Sequence, residues 1–63
     1  MTMQQFETLK KGDYVYTRIF DSEGNDKGIQ LKKILVKKIN YVYLDVKGID
    51  IYMAGFKEIE LNN

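Results

Sequence analysis

The chain has no cysteine, no histidine and no proline. Without cysteine there is no disulfide and no thiolate nucleophile, without histidine there is no imidazole base, and together the two absences remove the usual zinc ligands. No stretch approaches the roughly 20 apolar residues of a membrane span, and the opening MTMQQFETLKK lacks the basic-then-apolar order of a signal peptide. The expected setting is the cytoplasm of a prokaryote or one of its viruses, with no membrane partner. Sixty-three residues make one domain, 1–63, near the lower size limit at which a chain buries roughly 60% of its unfolded surface. So small a core argues against a deep catalytic cleft.

Carboxylates offer no substitute chemistry. Asp21, Glu23 and Asp26 fall in one polar stretch, DSEGND, with no neighbour that would raise a pKa, and no nucleophile–base pair can be drawn. GNDKG (24–28) lacks the glycine spacing, the Lys-Ser or Lys-Thr pair and the helix of a phosphate-binding loop, so it reads as a turn. The expectation is a non-enzymatic protein with no cofactor and no metal.

Absent proline, abundant Ile, Val and Tyr, and glycines at 12, 24, 28, 48 and 55 favour strands of regular length. Strands are expected at 13–20, 29–39, 41–47, 49–54 and 58–61, after a short helical turn around QFETL, in a small all-β fold with the look of a five-stranded barrel. Within YVYLDVKGIDIYM, a two-residue turn at Lys47 and Gly48 sets Val46 opposite Ile49, Leu44 opposite Ile51 and Val42 opposite Met53 on one face. The same register pairs Tyr43 with Tyr52 and opposes Asp45 to Asp50, two carboxylates that either splay into solvent or hold a cation weakly. LKKILVKKI (31–39) carries competing parities, which predicts a bulge or bend at a lysine pair.

Side chains alternate across a strand. The inward set is then Val15, Thr17, Ile19, Val42, Leu44, Val46, Ile49, Ile51 and Met53, and all five tyrosines (14, 16, 41, 43, 52) face outward. Charge is uneven although the net is only +1: from Lys27 to Lys47 six lysines face a single acid, Asp45, a local balance of +5. That run fits a footprint for phosphate backbones or a solvated strand guarded by lysines against edge pairing, the latter being the more common reason for such a run.

Four segments, KGDYVYTRI, GNDKG, ILVKKI and YVYLDVKGI, together resemble the KOW class of SH3-like barrels found in NusG-type transcription factors and some ribosomal proteins. Gly12, Asp13, Val15, Gly24, Lys27, Gly28, Ile39 and Val42 match by position and type, and FKEIEL is similar to the family's short turn into a last strand. The sequence departs from the family where IQLKK lacks a further glycine and where FDSE lengthens the first loop. The resemblance implies an SH3-like barrel and nucleic-acid binding, either RNA or single-stranded DNA.

Two functions follow as expectations. In one, Lys32, Lys33, Lys37 and Lys38 with Arg18 contact phosphates while Tyr14, Tyr16, Tyr41, Tyr43 and Tyr52 stack on bases. In the other, the chain is a protein-interaction module, such as an accessory or inhibitory protein of a phage or mobile element, with a second copy of itself among its candidate partners. Lysines and tyrosines converging on one concave face would favour the first, and an apolar patch with lysines elsewhere the second.

Overall fold

The computed structural model describes residues 1–60. In chain order it contains helix α1 (Met3–Glu7), strands β1 (Tyr14–Phe20), β2 (Asp26–Lys37), β3 (Tyr41–Val46) and β4 (Ile49–Gly55), a 3₁₀ turn (Phe56–Glu58) and strand β5 (Ile59–Glu60). The strands form one antiparallel sheet in the order β4-β3-β2-β1-β5. The expected residue 61 of the last strand lies outside the described residues. No helix among the described residues is long and apolar enough to cross a membrane.

The sheet is not closed into a barrel. Its two edges, β4 and β5, do not pair with each other among the described residues, and β5 reaches only the middle of β1, through Tyr16–Glu60 and Thr17–Ile59. Instead, the sheet wraps around a core of Phe6, Val15, Ile19, Ile34, Val42, Leu44, Val46, Ala54 and Ile59. Thr17 is the one buried polar side chain among the described residues, and its hydroxyl donates to the Glu58 carbonyl at 2.9 Å, tying the 3₁₀ turn to β1. The short helix is capped by Thr2, whose hydroxyl accepts from the Gln5 amide while the Gln5 side chain accepts from the Thr2 amide. That cap directs Phe6 into the core, where its ring lies 6.0 Å from that of Phe56.

Three irregularities bend the sheet. Between Arg18–Ile29 and Phe20–Asp26, β2 spends one residue more than β1, and Gly28 takes the positive φ of 80° that this extra residue requires. At the centre of β2, Ile34 faces Leu44 but Val36 already faces Tyr43, so Leu35 is the extra residue. The expected bulge in 31–39 is thus present, between the two lysine pairs rather than at one of them.

The third irregularity corrects the hairpin register. The turn at Lys47 and Gly48 forms, with Gly48 at φ 83°, and Val46 faces Ile49 as expected. Beyond it, Asp50 and Ile51 together span the place of Asp45, so Leu44 faces Tyr52 rather than Ile51, Tyr43 faces Met53 rather than Tyr52, and Val42 faces Ala54 rather than Met53. One extra residue reverses the parity of the rest of the strand. Ile51 and Met53, expected in the core, are 70% and 59% exposed, while Tyr52 packs against the core and Ala54 is buried. Asp45 and Asp50 are both exposed, and no cluster of three potential metal ligands occurs among the described residues.

Candidate binding surfaces

Pairing partners in a sheet share a face, so the register assigns every candidate side chain. On the outer face of β1 and β2 lie four successive rows: Tyr14 with Lys33, Tyr16 with Leu31, Arg18 with Ile29, and Phe20 with Asp26. Glu60 joins this face beside Tyr16. Tyr14 is 61% and Leu31 48% exposed, and Phe20 and Ile29 are exposed as well. The Arg18 guanidinium clasps both oxygens of Asp26, at 2.9 and 3.1 Å. The Asp26 carboxyl is held below its ordinary pKa, chiefly by the Gly28 amide that donates to it at 2.7 Å and further by the Arg18 charge.

A second apolar outer patch covers β3 and β4 past the bend in β2. It holds the row Val36–Tyr43–Met53, with Tyr41 one pair along and Ile51 beyond. The rings of Tyr41 and Tyr43 meet edge to face at 5.7 Å.

Tyr52 is not part of either patch, which corrects the expectation that all five tyrosines face outward. Its hydroxyl accepts from the Phe20 amide at 3.1 Å and donates to the Arg18 carbonyl at 3.2 Å, so β4 holds the far end of β1 across the inner face. The role of this side chain in the structure is to join two strands that do not pair.

The four lysines separate. Lys33 stands beside Tyr14 on the outer face, and Lys38 is exposed at the β2–β3 turn, where its amide donates to Tyr41. Lys32 faces Val15 and Lys37 faces Val42, which puts both on the inner side and half-buried, with the Lys37 ammonium 4.6 Å from the centre of the Phe6 ring. The expected single lysine and tyrosine surface is therefore divided: Tyr14, Tyr16, Arg18 and Lys33 come together, Tyr41 and Tyr43 lie on the other half, and Lys32, Lys37 and Tyr52 turn away.

A half-open hollow of about 280 Å³ lies between the β1–β2 loop and the β3–β4 turn. Ile19, Val46 and Ile49 line it from the core side, and Phe20, Lys27, Lys32 and Lys47 are also part of its lining. Asp21 also reaches it, but its carboxylate is occupied by the amides of Glu23 and Asn25, each 2.9 Å away, and by the Asn25 side chain at 3.1 Å. Those bonds, the Asn25 amide first, hold its pKa below the ordinary value, and Lys27 adds to this from 3.7 Å. Sequence reading missed Phe20, Lys27 and Lys47 as a group. The lysines were visible in the +5 segment, but only the folded register brings a loop and a turn twenty residues apart to one rim.

Compared with known proteins, the chain matches no family model, no curated protein and no solved structure.

Proposed function

We propose that this chain is a non-enzymatic protein-interaction module, an opened relative of the SH3-like architecture, that docks through the outer face of β1 and β2, and that the occupant of that face is a second copy of the chain. The architectural part is supported by five antiparallel strands, a long bent β2 and a 3₁₀ turn into a short last strand. The observation that carries the functional part is the composition of the four rows: Tyr14, Tyr16, Phe20, Ile29 and Leu31 give apolar surface in every row, and Arg18, Lys33, Asp26 and Glu60 intersperse both signs of charge with it.

This pattern complements itself. A two-fold axis running across the strands between the second and third rows lays Tyr14 over Phe20 of the other copy, Leu31 over Ile29, Tyr16 over Arg18 and Lys33 over Asp26. Apolar groups then meet apolar groups, a ring meets a guanidinium, and each ammonium meets a carboxylate. A net charge of +1 leaves little long-range repulsion between copies. The broad side of the molecule, 32 by 22 Å, is on the scale of the ~800 Å² that each partner contributes to a standard interface.

Sedimentation equilibrium tests this directly. The wild-type chain is expected at twice its 7.4 kDa mass, and Leu31→Lys at the monomer mass with an unchanged circular dichroism spectrum. A wild-type chain that stays monomeric at every concentration refutes the docking of a second copy. Nucleic-acid binding is the second reading, favoured by Arg18 and Lys33 standing beside Tyr14 and Tyr16 on this face. It takes the first one's place if the monomer binds RNA or single-stranded DNA with an affinity that falls as salt rises.

A further inference from the structure

The hollow between the β1–β2 loop and the β3–β4 turn is lined mainly from the inner face of the sheet and shares only Phe20 with the docking face. From its lining we infer that it binds a phosphate monoester bearing a flat apolar group, of the size of a single nucleotide.

Charge is the first support. Three lysines line one small hollow against a single acidic residue, Asp21. Among the described residues Lys32 and Lys47 have no ion-pair partner, and Lys32 is half-buried on the inner face opposite Val15. Its stem packs against the sheet while its ammonium, without a counter-charge, is available to an arriving anion. Lys27 lies 3.7 Å from Asp21, whose oxygens are already taken by amides and the Asn25 side chain, so it is held loosely enough to turn toward a ligand. Several point charges, two from β2 and one from the β3–β4 turn, suit the compact, doubly charged phosphate better than a planar carboxylate, which a guanidinium fork would serve.

Shape is the second support. The inner wall is aliphatic, from Ile19, Val46 and Ile49, and gives a flat apolar group a surface to pack against. A volume of about 280 Å³ sits at the small end of ligand sites, enough for one base, sugar and phosphate and too little for an extended chain. The ligand is therefore either a free mononucleotide or the phosphorylated end of a strand.

Amide-resolved NMR titration of the intact chain with adenosine monophosphate, adenosine, and an oligonucleotide with and without a terminal phosphate distinguishes these sources. Saturable shifts confined to Ile19, Ser22, Gln30, Lys47, Gly48 and Ile49, seen with the monophosphate and not with adenosine, support the site. A tighter complex with the phosphorylated oligonucleotide assigns the ligand to strand ends, and equal or weaker binding assigns it to free nucleotides. Lys32→Gln and Lys47→Gln should each weaken binding about tenfold, the loss of one charge-assisted contact, while Lys38→Gln, outside the hollow, leaves it unchanged. Lys47 lies in an exposed turn, so its variant keeps the fold even if Lys32→Gln does not. Absence of saturable shifts, equal binding of adenosine, or full binding by Lys47→Gln overturns the inference.

Discussion

Replacing Tyr52 by Phe removes a single oxygen and isolates the consequence of the β4 bulge. That oxygen accepts from the Phe20 amide at 3.1 Å and donates to the Arg18 carbonyl at 3.2 Å. Each bond contributes a net of about 0.5–1.5 kcal/mol, and because water can reach both freed groups the loss stays near the lower half, about 1–2 kcal/mol in total. A domain of this length holds only about 3–5 kcal/mol of stability, so the change is a large share. For domains of this size each kcal/mol moves the midpoint by about 4–8 °C, so thermal denaturation followed by circular dichroism should show Tm falling by roughly 5–15 °C. Amides at the end of β1 should also exchange faster with solvent than those of β3. In an unbulged hairpin the hydroxyl would face water and its removal would cost less than about 0.5 kcal/mol. A Tm within ~2 °C of wild type therefore refutes the register and with it the bridging role of Tyr52.

Three further outcomes follow from the same contacts. Leu44→Ala, at the buried centre facing Ile34 and Tyr52, should cost about 2–5 kcal/mol and leave little folded protein at room temperature; a loss under about 1 kcal/mol in urea denaturation contradicts the burial. Thr17→Val should cost about 1–3 kcal/mol by leaving the Glu58 carbonyl without its donor, and β5 amides should lose protection first; unchanged exchange there shows that the hydroxyl does not hold the last strand. Asp21 and Asp26 have folded pKa values below the ordinary 3.8, so the folded state binds fewer protons there than the unfolded state; their contribution is present above pH 3.8 and is lost as pH falls through the lower folded values. Denaturation midpoints should accordingly drop more in acid for wild type than for the Asp21→Asn, Asp26→Asn double variant, and superimposable pH profiles would disprove the linkage.

Much of the strand pattern is legible in the residues because it is local. The parity of Val15, Thr17 and Ile19, and of Val42, Leu44 and Val46, follows from alternation, and Gly48 marks the turn that places Val46 against Ile49. The bulge at Asp50 and Ile51 is not legible, because Ile49, Ile51 and Met53 alternate as well as any unbulged strand does. What decides against it is distant: Tyr52 finds two backbone partners on β1, and Ala54 fits a core position beside Val42 that Met53 would otherwise occupy. The helix start is legible in the Thr2 and Gln5 capping pair. The candidate surface was read less well, since a lysine's face depends on which residue it pairs with. Lys32 turns inward because it faces Val15, and Lys37 because the extra residue at Leu35 shifts the parity of everything after it.

The bend of β2 at Leu35 bears on how the molecule comes apart. Residues up to Lys33 pair with β1, and Ile34 and the residues after Leu35 pair with β3, so a single strand is the spine of both halves of the sheet. Melting of either half frees backbone that the ladder of the other half relies on at β2. Partial opening of the kind larger proteins use to reveal a buried segment is confined here to the chain ends and the β1–β2 loop. The rest should behave as one cooperative block, with hydrogen exchange in β1, β2 and β3 sharing a single opening free energy equal to that of complete unfolding.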